Sequence, residues 1–305
     1  MPAEDDASVS LPWRDRPERP RAGRGFISPR VRGLAAEHDV DPSAIEGTGE
    51  NGRVTAADVL ATVDASSREA PVHESAPRPT GDEIVPFSAV RKRTAEHMIR
   101  SKATSAHAAV VTEVDYEGVD RVRSVTRLSY LPFIARAVVD AITDFPNVNA
   151  AVQDDALVVR ADVHLGIAVD LGERGLIVPV VHDARAKRMR ALAAEIRALA
   201  TRARDKKLSP DDVAGGTFTI TNPGPFGTYT SVPIINQPQV AILATDSVAM
   251  QPVVVETADG DSMAMHPIGN LTLTFDHRVI DGGYAAAFLA RVRDILQTRP
   301  WDVEL

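Results

Sequence analysis

The chain has 305 residues, 44% of them hydrophobic, which is enough for one large and one small domain, each with its own core. Its formal net charge of -8 gives no electrostatic footprint for nucleic acid, and the absence of cysteine excludes disulfides, thiolate metal sites and a cysteine nucleophile. The N-terminus lacks the order of a signal peptide, and no apolar run reaches membrane-spanning length. We therefore expect a cytoplasmic protein that binds neither nucleic acid nor membrane.

The first folded segment is predicted over residues 26–63. It follows a stretch rich in Arg, Pro, Asp and Glu, residues 1–25, which predicts a disordered leader. Ser28 and Pro29 are typical of a helix start, and Thr55-Ala-Ala-Asp58 has the spacing of a capping box before a second helix. These signals indicate a small helical domain.

Within that domain, Gly47-Thr-Gly49-Glu-Asn-Gly52 matches G-x-G-x-x-G, which is a dinucleotide-binding pattern when it follows a buried strand. Here the polar segment HDVDPSAIE precedes it. We therefore interpret the glycines as a tight loop between two short helices.

A linker is predicted over residues 64–83, because Pro, Ser, Ala and charged residues dominate there. The second domain covers residues 84–305 and contains both predicted helices and predicted strands. Helical periodicity marks 88–103, 131–145 and 189–207, and strand patterns mark 163–181, 216–222, 240–248 and 269–277. The order of elements is not a simple βαβ repeat. We predict an α/β fold of the α+β type, a two-layer sandwich of sheet and helices.

A histidine stands where one of these strands ends. Leu271, Leu273 and Phe275 alternate toward one face of a strand that ends at His277, and a helix is expected to start near Gly282. Histidine on such a rigid edge can act as a general base near neutral pH. The alternatives are that this histidine is merely packed or exposed, and that the aspartate at 281 only caps the helix.

Three motifs together resemble the dihydrolipoamide acyltransferase family of 2-oxoacid dehydrogenase complexes. They are DHRVIDG at 276–282, GGTFTITNPGPFGTYTSVPIINQPQVAIL at 215–243, and ISPRVRGLAAEHDVDPSAIEGTGENGRVTAADVL at 27–60. The resemblance covers about 26–63 and 84–305. It implies a catalytic domain similar in fold to chloramphenicol acetyltransferase, assembled as a homotrimer or a trimer-based particle with active sites at the subunit interfaces.

The resemblance also implies roles for residues at matching positions. The motif histidine falls on His277, the implied general base, and the motif aspartate on Asp281, which supports the geometry of the site. Thr221, closing the FTIT run, falls where the family donates a hydrogen bond to the tetrahedral oxyanion. Arg123 is a candidate for the arginine that pairs with the aspartate, and a solvated helix face explains it equally well.

Residues 26–63 resemble the peripheral subunit-binding domain, which docks dihydrolipoamide dehydrogenase or the decarboxylase. Arg30, Arg32 and Arg53 are the residues that we expect to meet an acidic partner surface. The family also carries lipoyl domains, each presenting a lysine at a hairpin tip. The Asp205-Lys206 pair follows a charged helix, so we expect no lipoyl-lysine in this chain, no bound cofactor or metal, and acyl-CoA as co-substrate.

Three functions remain open. The first, which we favour, is an acetyl-CoA-dependent acyltransferase that modifies a small-molecule hydroxyl in a biosynthetic pathway, as in tetronate acetylation. The second is the core acyltransferase of a 2-oxoacid dehydrogenase complex that uses lipoyl domains on another chain. The third is a non-catalytic assembly scaffold, against which the presence of His277, Asp281 and Thr221 argues.

Overall fold

The computed structural model describes residues 27–38, 40–49, 52–68, 83–172, 175–258 and 260–304. The chain divides into two compact units between Ile84 and Val85. The predicted leader and most of the predicted linker, residues 69–82, lie outside the described residues. Within the described ranges, no helix is both long and apolar enough to cross a membrane.

In its described part the first unit contains two helices, α1 over Pro29–Glu37 and α2 over Ala56–Arg68. The first begins where the sequence predicts, because the Ser28 hydroxyl accepts a hydrogen bond from the Val31 amide at 3.3 Å. The second extends to Arg68, five residues past the predicted domain boundary at 63. A small apolar core joins the two helices; it consists of Val31, Ala35 and Val59.

A buried carboxylate organises the loop between these helices. Asp58 accepts hydrogen bonds from the Thr48 hydroxyl at 2.6 Å, the Thr48 amide at 3.1 Å and the Thr55 amide at 2.8 Å. Its own amide lies 3.4 Å from the Thr55 hydroxyl, which completes the predicted capping box. The hydrogen bond from the Thr48 hydroxyl, followed by those from the backbone amides, holds the pKa of Asp58 well below its ordinary value.

The second unit contains five α-helices, ten β-strands and several short 3-10 helices in its described part. The α-helices are α3 Ala89–Thr104, α4 Glu117–Thr126, α5 Tyr130–Asp144, α6 Met189–Arg204 and α7 Gly282–Thr298. The strands are β1 His107–Asp115, β2 Ala150–Gln153, β3 Ala156–Val159, β4 Leu165–Ile167, β5 Val169–Asp170, β6 Leu176–Ile177, β7 Val180–Val181, β8 Phe218–Thr221, β9 Ala241–Thr257 and β10 Gly260–Asp276. The 3-10 helices are Pro146–Val148, Ala184–Ala186, Asp211–Val213, Gly224–Phe226 and Trp301–Glu304.

Six strands form the main sheet, in the order β1-β10-β9-β8-β4-β7. The β8 strand runs parallel to both β9 and β4, and the remaining neighbours are antiparallel. The other strands make two hairpins, β2-β3 and β5-β6. This mixed sheet agrees with the absence of a simple βαβ repeat in the sequence.

One face of the sheet carries the hydrophobic core. Leu271, Leu273 and Phe275 of β10 are buried there, as their alternation predicts, in one cluster with side chains of α5 and α7. Thr272 and Thr274, on the opposite face of β10, are also fully buried, which the alternation does not predict. The fully buried rings in the described part of this core are those of Tyr116, Phe133, Phe218, Phe275, Phe288 and Trp301. Helices and sheet therefore form the predicted two-layer sandwich, and the edge where β10 turns into α7 is fixed by the packing of both elements.

Two features of the sheet were missed at the sequence level. The β9 and β10 strands have 17 residues each, whereas alternation marks only 240–248 and 269–277. Their outer parts form a ribbon that extends beyond β1, which pairs only up to Ile268. Apolar residues occupy both faces of the ribbon, with Val253 half-buried and Val254 71% exposed. The ribbon therefore lacks the one-sided apolar pattern that identifies a strand. The β1 strand was missed for a similar reason, since most of its side chains are only half-buried.

Candidate active site

His277 is the first residue after β10, and its side chain is exposed. Its amide donates to the Ala106 carbonyl at 2.8 Å, which attaches this turn to the start of β1. The imidazole lies against the Phe275 ring, with 5.6 Å between centroids. Within the described chain neither ring nitrogen has a hydrogen-bond partner. A rigid backbone thus presents an imidazole whose two nitrogens remain available to a substrate or to another subunit.

The residues on either side of His277, Asp276 and Arg278, form an ion pair that sequence analysis did not predict. Asp276 is 1% exposed, and its carboxylate accepts from the Arg278 guanidinium at 2.6 and 3.0 Å and from the Ala106 amide at 3.2 Å. Desolvation alone would raise the pKa of Asp276, but the hydrogen bonds from Arg278 lower it below its ordinary value. The sequence signal for this ion pair was the presence of an acidic and a basic residue immediately before and after His277.

Asp281 occupies the N-cap position of α7, with extended backbone (φ -84°, ψ 154°). Its carbonyl accepts from the Ala285 amide at 3.0 Å, but its carboxylate makes no capping hydrogen bond. Among the described residues the exposed carboxylate has no partner at all. The helix start thus agrees with the prediction, whereas the expected side-chain cap is not formed, and the carboxylate is left for another interaction.

Thr221 is the last residue of β8 and is half-buried. Within the described structure its hydroxyl has no hydrogen-bond partner. The loop that follows approaches the backbone of β9 closely, since a Cβ built on Gly224 would lie 2.6 Å from the Asp246 carbonyl oxygen. Glycine is therefore required at this position to keep the turn after Thr221 tight.

The sheet places Thr221 and His277 far apart within one chain. Thr221 pairs in register with Ala244 of β9, and Ala244 pairs with Thr272 of β10. His277 lies five residues beyond Thr272, or about 17 Å along the strand at ~3.4 Å per residue. Two strand spacings add roughly 10 Å sideways. One chain therefore cannot bring these two side chains to the same substrate atom.

Arg123 has a different partner from the one suggested by the family resemblance. It lies on α4 and donates to Asp120 at 2.7 Å, and its guanidinium stacks over the Tyr130 ring at 4.2 Å. The Tyr130 hydroxyl donates to the same carboxylate at 2.6 Å, and burial raises the pKa of Tyr130 to about 12. Asp120 lies three residues before Arg123 on the same helix, a spacing at which side chains meet. Within one chain Arg123 makes no contact with Asp281, so the pairing suggested by the resemblance stays a prediction for the assembled site.

The three arginines predicted to bind a partner are exposed in the first unit. Arg30 and Arg32 lie on α1 on either side of the buried Val31, and residues two apart on a helix do not face each other. Arg53 lies in the loop, where Gly49 and Arg53 form a bridge. The three guanidinium groups therefore do not share one helix face.

The glycine loop and the Asp-Lys pair have structural roles. Gly52 has a positive φ of 74°, and a Cβ on Gly47 would lie 2.5 Å from the backbone of Arg53. This tight loop lies between two helices, as interpreted from the sequence. Asp205 and Lys206 follow directly after α6, with Lys206 at a φ of 59°. This pair thus ends a helix and is not a hairpin tip.

Two family models match the chain. One, described as 2-oxoacid dehydrogenases acyltransferase (catalytic domain), matches residues 79–304, and the other, described as e3 binding domain, matches residues 25–60. The fold and these matches define an acyltransferase. More specifically, the chain belongs to the 2-oxoacid dehydrogenase acyltransferase family.

Curated relatives agree with this assignment. The chain is 34% identical over 328 residues to the lipoamide acyltransferase component of the branched-chain alpha-keto acid dehydrogenase complex of Bacillus subtilis, covering 97% of this chain and 75% of the relative. It is 36% identical over 309 residues to the dihydrolipoyllysine-residue acetyltransferase component of the pyruvate dehydrogenase complex of Corynebacterium glutamicum, covering 92% of this chain and only 45% of that relative.

Solved structures have the same catalytic fold. A probable dihydrolipoamide acetyltransferase from Listeria monocytogenes superposes with a TM-score of 0.67 at 36% identity, covering 72% of this chain and 95% of that one. The Azotobacter vinelandii dihydrolipoamide acetyltransferase gives a TM-score of 0.67 at 32% identity, and the match covers 73% of this chain and 97% of the Azotobacter chain. That structure belongs to an investigation of a serine, a histidine and an asparagine in its catalytic mechanism, the last two being four residues apart. The predicted fold is confirmed.

Proposed function

We propose that this chain is the core acyltransferase of a 2-oxoacid dehydrogenase complex, transferring an acyl group between CoA and a dihydrolipoyl thiol supplied by another chain or domain. The observation that carries the proposal is the separation of Thr221 from His277 within one chain, together with the lack of any partner for either side chain among the described residues. Both groups are left available at opposite ends of the sheet. Two copies of the chain are therefore needed to assemble one site, and a homotrimer is the assembly that we propose.

In this site His277 of one subunit takes the proton from the attacking thiol, and the sulfur then adds to the thioester carbonyl. The hydroxyl of Thr221 from a neighbouring subunit donates to the oxyanion of the tetrahedral intermediate. Collapse of the intermediate expels the second thiolate, which recovers the proton from the imidazolium. Asp281, with its free carboxylate four residues after the histidine, stabilises the geometry of the assembled site. The spacing of the histidine and asparagine in the Azotobacter relative supports these roles.

A small-molecule hydroxyl, the acceptor favoured by sequence analysis, is less well supported. The relatives are named for lipoyl acceptors, and no described feature near His277 distinguishes an alcohol from a thiol. An alcohol is also the harder acceptor, since it is far less acidic than a thiol and its proton must leave during attack. The match of residues 25–60 to an e3 binding domain supports a complex in which Arg30, Arg32 and Arg53 contact a partner enzyme.

The proposal is tested by CoA release from acetyl-CoA with dihydrolipoamide or with candidate alcohols as acceptor. We expect turnover on dihydrolipoamide, and we expect His277→Ala to reduce it at least ~10²–10⁴-fold, the range typical of acid–base catalysis. Circular dichroism and light scattering should be unchanged, since the exposed imidazole contributes little packing. Turnover on an alcohol with none on dihydrolipoamide would contradict the proposed acceptor, and near-wild-type turnover of His277→Ala would contradict the proposed base.

A further inference from the structure

Helix α3 carries an unusual concentration of positive charge. Five of its exposed residues are cationic and Glu96 is its single acid, in a chain with a net charge of -8. We call these five the basic surface of α3: Arg91, Lys92, Arg93, Arg100 and Lys102. None of the five side chains forms an ion pair or a hydrogen bond anywhere in the described structure.

Arginines elsewhere in this unit are commonly paired. Arg202 contacts Asp212, Arg278 contacts Asp276, and Arg299 contacts Asp140. The basic surface of α3 differs from these, because none of its five cations forms an ion pair in the described chain, and the groove beside it contains one acid, Glu96, against two arginines. A patch of uncompensated cations on an acidic protein attracts an anionic partner and accelerates its encounter.

The basic surface also leads to the candidate active site. Arg93, His97 and Arg100 line a groove of about 560 Å³, whose other wall includes Leu176 and Val178. The C-terminal end of α3 continues directly into Ala106, whose carbonyl holds the His277 amide. An anionic partner seated on the C-terminal part of α3, at Arg100 and Lys102, would therefore lie on the side of the helix that leads to the turn presenting the imidazole.

The shape of this surface favours a protein over a nucleotide. From Arg91 to Lys102 the cations extend over about 16 Å of helix at 1.5 Å per residue, and they do not converge on one point as a phosphate site requires. Exposed apolar side chains lie among and next to them, with Ile99 71% and Phe87 62% exposed. Apolar contacts surrounded by charged groups are the usual anatomy of a protein interface.

We propose that the basic surface of α3 docks an acidic protein domain that carries the dihydrolipoyl acceptor. This inference rests on the proposed function, and it specifies the partner and the surface that delivers the thiol to His277. The double charge reversal Arg93→Glu/Arg100→Glu tests it. The matched control is Arg185→Glu/Arg197→Glu, which reverses two exposed arginines that also lack ion pairs in the described chain but lie away from the groove.

Three quantities are measured for each protein: the Kd of a purified, reduced lipoyl domain of net negative charge, by calorimetry, and the KM values for that domain and for free dihydrolipoamide. The α3 variant should raise the Kd and the KM for the lipoyl domain at least ~10-fold at low ionic strength. The difference from wild type should shrink as the salt concentration rises to 0.15 M, where the Debye length is about 8 Å. The KM for neutral dihydrolipoamide should stay at the wild-type value, and the control variant should behave as wild type.

Other results would overturn the docking proposal. A raised KM for acetyl-CoA with both acceptors would assign the surface to the phosphates of CoA, and loss of the assembly in light scattering would assign it to a second copy of the chain. Equal binding of the domain by the α3 variant and by wild type would exclude docking there. If wild type binds the domain in a charge-dependent manner but turns over neither acceptor, docking is supported and the proposed function fails.

Discussion

A buried ion-pair network beside the sheet allows a quantitative test of the packing. Arg136 of α5, with its side chain 8% exposed, pairs with Asp140 one turn later and donates to the Ala184 and Lys187 carbonyls at 3.2 and 2.8 Å. Asp140 also accepts from Arg299 at 2.7 Å, which joins α5 to the end of α7. Replacing Asp140 with asparagine removes the carboxylate shared by both guanidinium groups. Arg299 keeps Glu304 at 3.4 Å, whereas Arg136 loses its ion-pair partner in the described chain.

The expected cost follows from the burial of the partners. Breaking a fully buried pair by removing one charge costs about 3–5 kcal/mol, because the remaining charge is uncompensated. Since Asp140 is 30% exposed, water relieves part of this cost, and we expect Asp140→Asn to destabilise the unit by about 2–3 kcal/mol. For a unit of this size that lowers Tm by roughly 4–12 °C.

Thermal unfolding followed by circular dichroism, at one protein concentration and scan rate, measures the shift. The matched control is Asp144→Asn on the same helix, which removes a carboxylate paired with Arg291 when both side chains are about half exposed, 50% and 44%. Exposed pairs contribute about 0–1 kcal/mol, so this variant should change Tm by no more than a few degrees. Equal shifts for the two variants would refute the reasoning from burial.

Three further predictions concern the small unit and the loop after Thr221. Gly33→Ala should raise the stability of α1 by up to about 1 kcal/mol, because Gly33 is exposed within the helix and an added Cβ would meet no atom within 4 Å; unchanged or faster amide exchange in α1 would contradict this. Asp58 has a lowered folded-state pKa, so its contribution to stability is present above its ordinary value of 3.8 and is lost as pH falls through the lower folded value. Amide protection in α1 and α2 should therefore decline below about pH 4, and Asp58→Asn should remove that dependence. Gly224→Ala should reduce acyl transfer with the secondary structure intact, since its Cβ would collide with the Asp246 carbonyl; full activity would show that the loop tolerates movement.

Local sequence patterns were sufficient to predict the strand and the helix that flank His277. The alternation of Leu271, Leu273 and Phe275 predicted the buried face of β10, and the glycines at 282 and 283 marked the start of α7. The outer ribbon of β9 and β10 was not predictable in this way, because apolar side chains such as Val253 and Val254 occupy both of its faces and leave no one-sided apolar pattern.

The spatial relations between site residues that are distant in sequence could not be predicted either. The distance between Thr221 and His277 depends on the register of three strands, and no local pattern encodes that register. The contacts that Arg123 makes within its own chain, with Asp120 and the Tyr130 ring, were also not predictable, because they depend on how α4 meets α5. The free carboxylate of Asp281 is likewise a tertiary property, since capping propensity alone favours a side-chain hydrogen bond that is absent here.

The central claim is that Thr221 and His277 of one active site come from different chains, and subunit mixing tests it most directly. Chains carrying His277→Ala and chains carrying Thr221→Ala are each expected to be nearly inactive. After unfolding and refolding together in equal amounts, random cyclic trimers should recover about a quarter of the wild-type sites, because a site is intact when one neighbour has His277 and the next has Thr221. Recovery of acetyl-CoA turnover to that level supports the shared site. Mixed assemblies that form but remain as inactive as the parent variants would contradict it.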